Sequence, residues 1–145
     1  MEEQLISFTT AKLAKEKGFN EKCNNTYMYG GSSYKTTPYY FEEKASNSEI
    51  ESQSYSAPTQ SLLQKWIRKN HKINVESNYL PNIQKYRALF VPMNIIPKTY
   101  KSASKHYAAV KPYLDTTNYD SYEEALEAGI IKALELITKQ HENKE

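Results

Sequence analysis

Residues 55–92 read YSAPTQSLLQKWIRKNHKINVESNYLPNIQKYRALFVP, and two hydrophobic periods meet inside them. Ser56-Ala57-Pro58-Thr59 is a helix start, with proline placed near the first turn where its missing N–H costs nothing. Leu62, Leu63, Trp66, Ile67 and Asn70 then recur at helical spacing along one face, and Gln64, Lys65, Arg68 and Lys69 occupy the other. Asn70-His71 breaks that period, and Ile73-Asn74-Val75 opens an alternating strand. Leu80-Pro81-Asn82 is a turn, a second strand follows over about 86–91, and Pro92 and Pro97 bound the stretch beyond it. Helix, strand, turn, strand is the centre of the fold.

On the C-terminal side, Ser121-Tyr122-Glu123-Glu124 reads as a capping box. Tyr122, Ala125, Leu126, Gly129, Ile130, Ala133, Leu134 and Ile137 form an apolar stripe over four turns. Acids crowd the start of this helix, where the macrodipole favours them, and Glu135 with Lys139 is an i,i+4 pair. Gly129 within the stripe costs about 1 kcal/mol relative to Ala, so it is expected to admit a close neighbour. Between the two segments, 98–114 fits a strand through His106-Tyr107-Ala108-Ala109-Val110 closed by Pro112, with a short helix over 101–110 as the alternative. On the N-terminal side, Thr9 or Thr10 is expected to cap a two-turn helix that Phe8 staples to Leu13 and Gly18 ends. Residues 26–43 hold strand material, Thr26–Tyr29 and Tyr39–Phe41, about a Gly30-Gly31 turn, and Pro38 marks a strand start or an edge. Residues 44–56, with five serines, read as a polar loop, and 139–145 as a frayed tail. The expected fold is α+β: one small antiparallel sheet with about three helices mainly on one face, as a single domain over 1–145.

Charge is sorted along this framework. Residues 61–114 hold ten Lys/Arg against one acid, Glu76; residues 1–60 hold six Lys and eight Glu; residues 115–145 hold three Lys and eight Asp/Glu. A formal net charge of +2 therefore hides a basic centre between acidic flanks, and a field of that sign attracts phosphates, nucleic acid or acidic protein. Tyrosine is abundant, 13 against 4 Phe and 1 Trp, which suits half-buried strands and binding surfaces alike. Cys23 is the lone cysteine, so neither an internal disulfide nor a four-Cys metal site is open to the chain. The first 20 residues lack the apolar run of a signal peptide and no stretch of 18 apolar residues exists, so a soluble cytoplasmic protein is expected.

Signatures of catalysis are missing. Gly30-Gly31-Ser32-Ser33 has no following Lys-Ser/Thr, and neither His-x-x-x-His nor Gly-x-Ser-x-Gly motifs occur. His71 suits a helix C-terminus, His106 the basic surface and His141 the tail. No catalytic residue, metal ligand or cofactor is assigned. The site expected instead is a ligand-binding one: Arg68, Lys69, Lys98, Lys101, Lys105 and Lys111 supply charge, and Tyr100 and Tyr107 stack. Its partner would be a nucleotide or nucleic acid. The competing reading is that acids of the last helix lie beside these cations and neutralise them within the fold, each exposed pair contributing about 0–1 kcal/mol. A host protein engaged through Tyr-rich loops is the alternative partner, no membrane partner is expected, and the stripe of the last helix completes either a monomer core or a homo-oligomer interface.

Three segments, TAKLAKEKGF at 10–19, YSAPTQSLLQKWIRKNHKINV at 55–75 and SYEEALEAGIIKALELI at 121–137, resemble a recurrent group of small proteins from phages, prophages and mobile elements of the Bacteroidales. No site residue is carried over with the resemblance. What it implies is setting: an accessory, non-enzymatic binder in the cytoplasm of a bacterial host, of a type that includes antagonists of host defence.

Overall fold

The structure, a computed structural model, describes residues 3–29, 37–95 and 103–142. The elements are α1 (Phe8–Glu16), β1 (Cys23–Tyr27), β2 (Tyr39–Ala45), β3 (Tyr55–Ser56), α2 (Gln60–His71), β4 (Ile73–Leu80), β5 (Lys85–Pro92), α3 (Ala103–Val110) and α4 (Tyr122–Glu142). The α+β class holds. The single sheet does not: β2-β1-β3 form one antiparallel sheet and β4-β5 another. The chain divides into two compact units, residues 1–63 and 64–145, and the division falls inside α2.

The second unit follows from the central sequence. β4 and β5 pair without a break from Ile73↔Pro92 to Leu80↔Lys85. Between them Pro81 takes the position its fixed φ suits in a turn closed by Ile83 N–H donating to the Leu80 carbonyl (3.3 Å). Gln84, at φ 53°, returns the chain into the ladder through the left-handed region. α4 packs on both strands, burying Ala125, Leu126, Ile130, Ala133, Leu134 and Ile137 against a face that includes Ile73, Val75 and Ala88. Gly129 has the role its place in the stripe suggests. A Cβ there would stand 2.9 Å from Val75 Cγ1 and 3.2 Å from Ala88 Cβ.

Segment 114–119 lines the outer edge of β5. Tyr86 and Tyr119 exchange two backbone hydrogen bonds of 2.8 Å, and Asp115 N–H donates to the Ala88 carbonyl (2.9 Å). Burial opposes charge on Asp115, but donors from Tyr119 Oη (2.6 Å) and Thr117 N–H (3.0 Å), a hydrogen bond with the Thr117 side chain and the charge of Lys132 outweigh it, holding its carboxyl below the usual range. Ser121 caps α4 by accepting from Glu124 N–H (3.1 Å), whereas Glu124 Oε2 accepts from Asp120 N–H (3.3 Å), one residue before the reciprocal partner of a full capping box. Tyr122, expected in the stripe, is exposed, its ring edge-on to Tyr86 at 6.3 Å. α4 continues through Glu142, so the helix runs past the start expected for the tail; residues 143–145 and the Lys139 side chain lie outside the described residues.

The first unit differs more from expectation. Ser7, not a threonine, caps α1, its Oγ accepting from Thr10 N–H (3.3 Å). Phe8 packs edge-on against Tyr27 and Tyr55, both at 5.6 Å. Gly18 ends the helix region at φ 95°. β1 begins at Cys23, earlier than its apolar residues suggest; β2 starts one residue after Pro38 and is an edge strand, as that proline requires. The Gly30-Gly31 turn lies outside the described residues.

The Ser-rich stretch 44–56 is built into this unit rather than looped off it. It holds a 3-10 turn at Asn47–Glu49 and the strand β3, and Ser46, Asn47, Ser54 and Ser56 are buried. Asn47 Nδ2 donates to the Phe19 carbonyl (2.8 Å) and its Oδ1 accepts from Ser56 N–H (2.9 Å). Lys15 Nζ donates to the carbonyls of Glu51 (3.3 Å), Ser52 (3.1 Å) and Ser54 (2.8 Å), and its burial lowers the ammonium pKa.

Two stability outcomes follow. Gly129→Ala gains about 1 kcal/mol of helix propensity, but forces a methyl onto a buried β-branched side chain, at a typical overpacking cost of about 1–3 kcal/mol. Urea unfolding should show net destabilisation, reversed in sign when Gly129→Ala is made in a Val75→Ala background. Gln84→Gly should stabilise by about 0.5–1 kcal/mol, relief of the left-handed backbone exceeding the entropy glycine adds to the unfolded chain; Gln84→Val should destabilise.

Candidate functional site

α2 is the element that presents the basic residues. Thr59 caps it, its Oγ1 accepting from Leu62 N–H (3.2 Å), and Leu63, Trp66 and Ile67 are buried. Two polar positions depart from the helical-wheel reading. Gln64, placed on the solvent face, is half-buried and donates through Nε2 to the Val75 carbonyl (2.6 Å). Asn70, placed on the apolar face, is exposed and donates back to the Trp66 carbonyl (3.1 Å).

The remaining outward positions are cationic. Lys65, Arg68, Lys69 and Lys72 are all exposed, and the three within α2, at i, i+3 and i+4, form one stripe. Lys72 follows the helix end at φ 55°, fixed by its own N–H to the Arg68 carbonyl (3.1 Å) and by Met93 N–H donating to its carbonyl (2.7 Å). The stripe's end lies at the negative pole of the helix, where cations are favoured even without a ligand. His71 stands edge-on to the Trp66 ring at 4.9 Å.

Residues 106–110, expected as a strand with a short helix over 101–110 as the alternative, lie in α3, and a 3-10 turn at Lys111–Tyr113 follows. Ala103, Ala108 and Ala109 are strong helix formers. Lys105 and Lys111 are exposed, and Tyr107 is 55 % exposed. Lys98, Tyr100 and Lys101 lie outside the described residues, as does the His106 side chain. Tyr113 is spoken for structurally, its ring edge-on to Phe90 at 6.2 Å.

Neutralisation reaches Lys85 in the basic centre, which forms an ion pair with Asp120. Arg87 Nε donates to the neutral amide of Asn118 at Oδ1 (3.0 Å), so it is positioned by the segment that precedes α4 but keeps its charge. By contrast, Lys65, Arg68, Lys69, Lys72 and Lys111 make no ion pair among the described residues. The described residues contain no group of three His, Cys, Asp or Glu placed to hold a metal ion, and no helix among them is long and apolar enough to cross a membrane.

A second feature, in the first unit, had no signal in the sequence. β2 carries extra residues where it pairs with β1: Asn25 faces Tyr40, but Cys23 faces Ala45. Asn24 Nδ2 fills the resulting arch, donating to the carbonyls of Phe41 (2.9 Å) and Glu42 (3.2 Å). Beside the arch lies a cleft of about 520 Å³ lined by Cys23, Met28, Phe41 and Ile50, with Glu42, Glu43, Glu49 and Glu51 among the polar residues. Burial, and then the charge of Glu21, push the Cys23 thiol up to about 11, against the opposing pull of Lys44. The thiol is therefore held in the protonated form, which is the poorer nucleophile.

No protein-family model, curated protein or solved structure matches this chain.

Proposed function

We propose that this chain is a non-enzymatic binder of a phosphate-bearing partner, nucleic acid or a nucleotide, and that the α2 stripe is the contact surface. One observation carries the reading: Lys65, Arg68 and Lys69 are exposed on a single helical face, with Lys72 exposed just past the helix end, and none of them has an ion pair among the described residues. An exposed cation left without an acid in a chain holding 17 Asp and Glu is free to neutralise a phosphate and release its counterion. Residues on such a stripe are spaced about 5–6 Å apart along the helix, a distance suited to tracking a phosphate backbone rather than reading base edges. Lys105, Tyr107 and Lys111 extend the same chemistry on α3 and the turn after it, with Tyr107 presenting a ring for stacking. The setting proposed with this function is that of a phage or mobile-element accessory protein acting on its host.

A protein partner is the second reading, favoured by the exposed rings of Tyr29, Tyr39 and Tyr40. The two are separated by salt. Binding of duplex DNA measured by fluorescence anisotropy should follow a log–log salt slope of about −0.9 per neutralised phosphate. The triple variant Lys65→Glu/Arg68→Glu/Lys69→Glu should lose most of the affinity and flatten the slope by about 3, with its far-UV circular dichroism unchanged. Affinity and slope unaltered in that variant, or no binding of DNA, RNA or nucleotide at low salt, would refute the proposal. A pulled-down protein that resists moderate salt and is lost on Tyr29→Ala/Tyr40→Ala would favour the second reading.

A further inference from the structure

We infer that the cleft beside the β2 arch binds a small organic cation with an apolar body, an arylalkyl- or alkylammonium. Three features of the cleft converge on that chemistry. Its volume, about 520 Å³, lies within the range of about 300–1,000 Å³ common to small-molecule sites. Its apolar lining, Met28, Phe41, Ala45 and Ile50 with the buried Cys23, suits a hydrocarbon body, and Phe41 is 43 % exposed, leaving ring surface for a cation. Its charge is the third feature.

Four glutamates line the cleft against a single cation, Lys44. Glu49 is already committed: it accepts from Ser46 Oγ (2.8 Å) and Ser46 N–H (3.0 Å) and pairs with Lys22 at 3.9 Å. Glu42, Glu43 and Glu51 have no ion pair among the described residues. An anion entering the cleft meets this excess of carboxylates and is disfavoured; a neutral apolar molecule gains the lining but not the charge. A cation carried on an apolar body gains both. The raised thiol pKa of Cys23, caused first by burial, is in keeping with the apolar part of the lining.

The cleft is structurally supported. Asn24 satisfies the two carbonyls that the arch frees from the β1–β2 ladder, and Lys15 anchors the opposite side at the carbonyls of Glu51, Ser52 and Ser54. A bulge that serves only to blunt an edge strand needs no such bracing. Self-pairing of β2 between two copies is the competing use of this edge. Antiparallel pairing centred on the strand would set Glu42 against Glu42, an unfavourable like-charge pair.

The test uses three probes of similar shape and different charge: phenethylammonium, 2-phenylethanol and phenylacetate. Met28 lines the cleft and Met93 does not, so ¹³C-methyl methionine signals of the full chain report site and control together. Phenethylammonium should shift the Met28 methyl saturably and leave Met93 in place, 2-phenylethanol should bind more weakly, and phenylacetate weakest of all. Glu42→Gln/Glu43→Gln should weaken phenethylammonium by about fivefold or more, without altering the response to 2-phenylethanol. Bound phenethylammonium should also slow alkylation of Cys23. Equal affinity for all three probes, the reverse order of charge, or a Met28 methyl that none of them moves would overturn the inference. Loss of duplex DNA binding in the α2 triple variant with the Met28 response intact would leave this site standing, because it belongs to the first unit.

Discussion

With 39 % of its residues apolar, the chain closes each unit around a small core, and buried backbone groups outside strand and helix ladders must find side-chain partners. Leaving one unmet would cost about 1–3 kcal/mol, comparable to what burying a single aliphatic side chain contributes. Asn47 shows how the constraint is met. One amide side chain bonds the Phe19 carbonyl on one side and Ser56 N–H on the other, joining the end of the α1 region to β3. Tyr27 Oη reaches the Ile6 carbonyl (2.8 Å), Ser54 Oγ takes Tyr29 N–H (2.9 Å), and Lys15 serves three carbonyls. These bonds are specific to one register and one chain path, so they select a structure that the apolar residues alone would leave underdetermined.

The second unit meets the same constraint by geometry. Its hairpin and α4 supply their own backbone partners, and the open edge of β5 is covered by residues 114–119 through Tyr86, Tyr119 and Asp115. What remains is fit. Gly129 brings the α4 backbone against Val75 and Ala88, so a small core becomes a close-packed one. The tyrosines then have room at the margin, as in the Tyr79–Tyr86 pair at 5.1 Å and the Tyr86–Tyr122 contact.

This contrast explains what was legible in the residues. α2, β4, the Pro81 turn, β5 and α4 follow from apolar periodicity and capping, which act within one element or between neighbours. The Ser-rich stretch reads as a loop because low hydrophobicity usually means no burial, whereas Ser46, Asn47 and Ser54 are buried with their side chains hydrogen-bonded. The stretch before α4 shows the limit of local reading in another form: HYAAV is a short apolar run that fits a strand or a helix, and such a run cannot be assigned by periodicity alone. The separation into two sheets was out of reach for the same reason, since strand pairing is decided by partners distant in sequence.

The candidate sites divide along the same line. Charge on the α2 stripe is readable because a helix places i, i+3 and i+4 together whatever surrounds it. Which cation of the basic centre is already neutralised is not, because Lys85 finds Asp120 only after the 114–119 segment docks on β5. That pairing sharpens the charge argument. It removes Lys85 from the count, and leaves the exposed α2 cations Lys65, Arg68 and Lys69 without an ion pair among the described residues. The acidic cleft lies at the far end of this scale. Glu42, Glu43 and Glu51 look like ordinary solvated charges in sequence, and they share a cavity beside the arch that β2 makes around the Asn24 amide. An irregularity of backbone pairing, carried by one asparagine, thus turns scattered surface carboxylates into a site with a shape, and shape is what separates selective capture of a cation from a diffuse negative field.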